Sequence, residues 1–339
     1  MSKVEEVTVL GAGVAGLTCA VTLAERGCRV AVIERSEALG GQAASWLAGG
    51  MLAPWCERES AEPPVVALGR EALDWWPKHY PPTKRAGSLI LAPGRDLPEL
   101  ERFARRTEGF ERVDADGIAA MEPDLAGRFR AGLLFRKEAH LDPRAALSAL
   151  AERLQVLGGT IRFGRDAAEH RASGRVIDCR GMAARDRLHD LRGVRGEMLL
   201  LRSGEVSLSR PVRLLHPRFP LYIVPRGEGL FLVGATMIES DRRGRVTARS
   251  LVELLNAAYA LHPAFAEAEV VETGCEVRPA FPDNLPRIRW RDGRLCVNGC
   301  YRHGFLLAPA LARMAADALL NGAHYPEVMD EDHGERRSA

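Results

Sequence analysis

The sequence is almost without lysine: 43 arginines stand against 4 lysines, so no single arginine is informative by type alone. Neither sign of charge is in surplus. A formal balance of +2 gives no electrostatic case for nucleic acid, which calls for positive charge gathered on one face. Seven cysteines, at 19, 28, 56, 179, 275, 296 and 300, show no paired spacing of the zinc-site kind, and no metal is expected. Their odd number and the lack of a secretory signal speak against a disulfide framework, so a cytoplasmic protein is expected. Internal repeats and low-complexity tracts are absent, and only the polar tail 330–339 is expected to fray. One uncharged stretch, 7–24, has the length of a membrane span, but glycines at 11, 13 and 16 and threonines at 18 and 22 argue against that reading. What is present, 46% hydrophobic and 27% charged residues over 339 positions, suits a soluble globular protein with room for two lobes.

The chemistry begins at the N-terminus. Val7-Thr8-Val9-Leu10 is a β-branched apolar run that breaks into Gly11-Ala12-Gly13-Val14-Ala15-Gly16. Residues 17–26 then read as a helix closed by Gly27, and 28–33 as a second apolar strand ending at Glu34, 23 positions after Gly11. Strand, glycine turn, helix, strand and acid in that register describe a dinucleotide-binding βαβ unit. Gly11 permits the turn, Gly13 lets the backbone approach a pyrophosphate, and Gly16 lets helix and strand pack closely. The helix N-terminus at Val14 and Ala15 would face the phosphates. Glu34 would accept hydrogen bonds from ribose hydroxyls, which disfavours a cofactor with a 2′-phosphate.

FAD rather than a nicotinamide cofactor is suggested by the residues beyond Glu34. After Arg35 comes a second glycine-rich segment with Gln42, Ala43 and Ser45, then the small-residue run Ala48-Gly49-Gly50-Met51-Leu52-Ala53-Pro54, which could lie along an extended cofactor or be a plain loop. With these segments, the sequence resembles the D-amino-acid oxidase family of flavoenzymes, and within it the glycine oxidases that supply the thiazole branch of thiamine synthesis. The likeness is carried further by Tyr222-Ile223-Val224-Pro225-Arg226, Val233-Gly234-Ala235-Thr236-Met237, Val277-Arg278-Pro279 with Asp283-Asn284-Leu285-Pro286, and the stretch from Asn298-Gly299 to Pro309. Two features depart from the family pattern: the bulky Trp46 in the second glycine segment, and His303 after Arg302.

The resemblance implies an α/β fold: a Rossmann-like FAD-binding domain of the glutathione-reductase type, with a discontinuous α+β substrate domain on a mostly antiparallel sheet. Residues 1–85, 138–192 and 279–339 are assigned to the former, and 86–137 and 193–278 to the latter. Asp142-Pro143 opens a helix to about Leu157, 176–181 reads as a buried strand ending near the cofactor at Gly181, and 248–261 reads as a helix. Apolar runs at 88–92, 197–201, 221–224 and 230–233 read as strands of the substrate part.

Flavin oxidation of an amino acid needs its carboxylate clamped and its amine neutral, with the cofactor taking the Cα hydride. The resemblance implies that Arg278 is the clamp and that Tyr222 adds a hydrogen bond to the carboxylate; a structural ion pair and a core aromatic are the alternatives. Arg302 matches a second arginine near the substrate entrance, and Met237 and Met51 would be apolar walls. Pro309 suits the first turn of a helix to Leu320, whose amides at Gly304, Phe305 and Leu306 would point at the flavin's pyrimidine edge. His303 could serve there or be structural. No cysteine stands just after Phe281, so the FAD is expected to be non-covalent. The expected reaction joins a small amino acid, glycine first, with molecular oxygen. D-amino acids, sarcosine, or a flavin-holding protein without turnover are the alternatives, and relatives suggest a homo-oligomer.

Overall fold

The computed structural model describes residues 4–167, 174–215 and 221–330. Two sheets organise them. The first has six strands, and the order across it is Arg287–Arg291, Arg294–Asn298, Arg175–Asp178, Glu6–Leu10 (β1), Arg29–Ile33 (β2) and Thr160–Arg162. All its neighbours run parallel except the outermost pair, Arg287–Arg291 with Arg294–Asn298. β1 and β2 are in register from Glu6↔Arg29 to Leu10↔Ile33. Helix α1 (Val14–Glu25) crosses between them, as a parallel pair requires.

This arrangement fixes where a ligand can bind. In an open parallel sheet the crevice lies beyond the carboxyl ends of the strands. Here five strands end on that edge, at Leu10, Ile33, Arg162, Asp178 and Asn298, and Gly11, Glu34, Cys179 and Gly299 come directly after four of them.

The second sheet has nine strands and is antiparallel except where Val212–Leu214 pairs with Ser88–Leu91. Its longest pairing joins Arg192–Arg202 to Glu269–Ala280, and its middle is formed by Leu221–Gly227 and Leu230–Gly234. Every strand of the parallel sheet lies within 1–85, 138–192 or 279–339. The antiparallel strands lie within 86–137 and 193–278, overrunning those bounds only at Arg192 and at Pro279 and Ala280.

Local signals set most helices. Asp142 caps the helix Pro143–Val156 by accepting from the amides of Arg144 and Ala145 at 2.8 and 3.0 Å, and Thr247 caps Ala248–Leu261 through Ser250 N. α1 starts at Val14 rather than at residue 17, because extended Gly13 is its N-cap and the glycine motif itself makes the first turn. The last helix runs Gly304–Asn321, so Pro309 lies inside it and not in its first turn. A proline there removes the hydrogen bond to the carbonyl four residues back, which is that of Phe305. The indole Nε1 of fully buried Trp76 donates to that carbonyl at 2.7 Å, and the helix continues unbroken. Among the described residues no helix is long and apolar enough to cross a membrane. The tail beyond residue 330 lies outside them, as does Pro220 beside the Tyr222 segment.

Candidate active site

A cleft runs along the carboxyl edge of the parallel sheet and against the second sheet. Gly11, Gly13, Val14 and Ala15 line it at one end, with Glu34, Arg35, Gln42, Ala43, Ser45 and Gly49; Gly181, Gly304 and Phe305 also border it. The glycine motif is packed as its chemistry demands. A Cβ at Gly16 would sit 1.9 Å from the Gly11 carbonyl, and one at Gly11, with φ +95°, would sit 2.8 Å from that of Cys179. A Cβ at Gly13 would make only ordinary contacts, with Ser45 Oγ at 3.6 Å and Ala43 Cβ at 4.0 Å, and Gly13 lines the cleft. The N-terminal amides of α1 and the acid after β2 are therefore presented together, and the residues fit a dinucleotide. Glu34 accepts from the amides of Ala12 (2.7 Å) and Ser36 (2.9 Å), which ties the acid to the turn. Ser45 Oγ accepts from Val14 N at 3.2 Å and joins the second glycine segment to the first.

The second sheet supplies the other wall with Gly196, Met198, Tyr222, Ala235, Val277 and Arg278. Arg278 lies over Gly196 on the paired strand: a Cβ there would come within 2.3 Å of its Nη2. Its Nη1 donates to the Thr236 carbonyl at 3.0 Å. Among the described residues it has no carboxylate partner. Burial pushes its pKa down, with Arg302 adding repulsion and the nearby tyrosine hydroxyls opposing it. The ring of Tyr222 crosses Gly49, where a Cβ would meet Cε2 at 2.8 Å.

Arg302 also lines the cleft, but it is engaged. Its Nη2 donates to Glu57 Oε2 at 2.6 Å and its Nη1 to Met237 Sδ at 3.3 Å. Burial works against its charge, yet the Glu57 carboxylate outweighs it and holds the pKa above the ordinary arginine value. Burial likewise opposes ionised Glu57, but Arg302 first, then His303 and Arg213, pull its pKa down to about 2. His303 is buried, with Nδ1 3.6 Å from Glu57 Oε2, and burial lowers its pKa to about 4.

Several expected residues are near the cleft without lining it. Met51 and Leu52 form a two-residue strand paired with Ala139–His140, with Leu52 fully buried in the core, and neither borders the cleft. Gly50, with φ +71°, sits against the Leu141 carbonyl, and Leu306 packs over Gly69. Met237 is half exposed and meets Tyr301 and Arg302 through its sulfur. Trp46 packs its indole on Gly40 and lies 5.4 Å from the Arg144 guanidinium.

The cleft also has contributors that the sequence did not put forward. Gly196 had a signal, a glycine directly before the apolar run 197–201, which marks a close approach. Arg226, within a segment that carries the resemblance, donates to the carbonyls of Leu141, Ala48 and Gly49 at 2.7, 2.9 and 3.1 Å and fixes the floor beneath Tyr222. Tyr301, with φ +51°, turns the chain between Cys300 and Arg302 and donates its hydroxyl to Met237 Sδ. Glu57 had no local signal.

The family model of FAD dependent oxidoreductases, DAO, matches residues 6–318. The chain belongs to that family. It is 59% identical over 322 residues to a Rhizobium etli protein named as a thiamine biosynthesis oxidoreductase, ThiO, covering 95% of this chain and 98% of the relative. A glycine oxidase of Pseudomonas putida is 30% identical, covering 95% and 96%. In fold it is similar to the glycine oxidase structure from Bacillus cereus, with a TM-score of 0.81 at 24% identity, covering 94% and 96% of the two chains. As a member of the DAO family the chain is an FAD-dependent oxidoreductase.

Proposed function

We propose that this flavoenzyme oxidises the carbon–nitrogen bond of a small amino acid, glycine first. The observation that carries the reading is Arg278: an enclosed guanidinium with no carboxylate partner among the described residues, in the same cleft as the dinucleotide motif. A permanently charged group that burial disfavours is retained where it meets an anion. An amino acid supplies one as its carboxylate, held by two parallel hydrogen bonds from the fork.

Bound FAD supplies the two-electron acceptor for the Cα hydride. This chain's residues do the rest: Arg278 and Tyr222 orient the carboxylate, Thr236 O steadies Arg278, and Gly49 leaves room for the Tyr222 ring. The substrate amine gives up a proton and becomes an imine, which water converts to glyoxylate and ammonia. Molecular oxygen takes the two electrons and two protons to form hydrogen peroxide. The likeness to the ThiO relative supports a place in thiamine biosynthesis, with the cytoplasm as its compartment. In this reading the parallel-sheet segments hold FAD, while 86–137 and 193–278 hold the substrate.

The test is anaerobic mixing of the purified protein with glycine, sarcosine and D-alanine, monitoring flavin absorbance, then admission of air and a peroxide assay. Bleaching by glycine with peroxide on aeration is the expected result. Bleaching only by D-alanine or sarcosine moves the activity to a sister substrate, and no bleaching by any amine removes the reading.

A further inference from the structure

The two arginines at the substrate end of the cleft differ in one respect. Arg278 is left for a ligand, whereas Arg302 is matched by Glu57 at 2.6 Å. Glu57 is built in rather than adventitious. It ends the helical turn Pro54–Glu57, its side chain is 11% exposed, and Arg213 adds to the field holding its charge. The turn is itself anchored, because the Cys56 amide donates to fully buried Glu138 at 2.7 Å.

We propose that Glu57 is a specificity-determining residue: by cancelling Arg302 it leaves one uncompensated cation at the substrate end and so limits the substrate to a single carboxylate. The inference rests on the reading that a substrate carboxylate sits on Arg278. A second carboxylate would be desolvated in the same space without a cation of its own, and would face Glu57 as well. Buried His303 does not make up the deficit, since burial keeps it neutral at ordinary pH. Glu57 need not touch the substrate; it acts through Arg302 and through its charge.

The decisive comparison uses the flavin-bound wild type, Glu57→Gln and Glu57→Asp at constant ionic strength. Acetate and malonate are titrated against the flavin spectrum, and anaerobic reduction is measured with glycine and with iminodiacetate, which is glycine carrying a second carboxylate. In Glu57→Gln the preference for malonate over acetate should rise tenfold or more, and that for iminodiacetate over glycine likewise. Glu57→Asp, which keeps the charge, should stay near wild type. A merely structural role would weaken both members of each pair alike. A malonate-to-acetate ratio within twofold of wild type in Glu57→Gln overturns the proposal.

Should Glu57→Gln fail to hold flavin, Arg302→Gln is the variant of opposite sign. It should lower the ratio at least twofold, and an unchanged or raised ratio again overturns the proposal. The titrations need no turnover, so the two readings fail separately. Oxidation of glycine with an unmoved ratio sinks only the role of Glu57, whereas a shifted ratio in a protein that oxidises no amine sinks only the amino-acid oxidase reading.

Discussion

At the scale of single residues, the site turns on where a guanidinium ends and what surrounds it. Arg278→Ala should reduce glycine kcat/KM by on the order of 100-fold or more, since truncating one partner of a desolvated charge pair costs about 2–5 kcal/mol. The yellow cofactor should stay bound, and near-normal flavin reduction would remove Arg278 from the site. Gly196→Ala tests the same group from below. Its Cβ would come within 2.3 Å of the Arg278 guanidinium, so the fork must move while the strand pairing survives. Activity on glycine should fall at least roughly tenfold, with little change in melting temperature, because displacements on the order of 1 Å at a reacting site are costly. Glu34→Ala should release FAD more readily, by loss of the ribose acceptor and of its hold on the Ala12 and Ser36 amides. Cofactor content unchanged after dialysis would count against that role.

At the scale of elements, the last helix shows how a local rule is overridden from a distance. Pro309 inside a sequence read as helical points to a helix start, yet the helix begins at Gly304. The carbonyl that Pro309 leaves unpaired finds Trp76, 229 residues away in the chain. Trp76→Phe keeps an aromatic ring but deletes the donor. It should cost about 1–3 kcal/mol for the orphaned carbonyl alone, read as a lower urea midpoint. An unchanged midpoint would mean that another donor reaches Phe305. The βαβ unit was legible because its constraints are local: glycines, apolar runs and acid must recur at fixed short spacing for the chain to turn at all. The helices at 143–156 and 248–261 were legible through their caps for the same reason.

At the scale of the whole molecule, buried titratable groups of opposite sense make stability depend on pH in both directions. Burial raises Glu138 to about 8 from an ordinary 4.5. It is protonated in the fold but ionised when unfolded, so its contribution is lost as pH rises from 4.5 through 8. Burial lowers His140 and His303 to about 4 from 6.5. They are neutral in the fold and take up protons when unfolded, so their contribution is lost as pH falls below 6.5. Glu57, held near 2, loses its contribution only below 4.5. The four together place maximum stability near pH 6.5. They imply a fall on the order of 1 kcal/mol toward pH 8 and roughly twice that toward pH 4.5, because the unfolded histidines still hold part of their protons just above pH 6.5 and offset Glu138 there. Urea midpoints at three pH values check this. Glu138→Gln should flatten the alkaline limb and steepen the acid one, where Glu138 offsets one of the two histidines, and an alkaline limb that persists in that variant would assign it to other groups.

The sequence by itself determined the cofactor class, the family and most local elements, because each rests on short segments whose residues are close together, read one by one along the chain. It also put Arg278, Tyr222 and Arg302 forward by resemblance, and all three line one cleft. Only the tertiary structure decided which of the two arginines is free to meet a ligand. Arg302 and its counter-charge Glu57 are 245 positions apart, and Gly196 meets Arg278 only through strand pairing. No periodicity in a chain encodes such pairs; they exist because strands and turns distant in sequence pack side by side around the cleft, and desolvation there makes every charge depend on its neighbour.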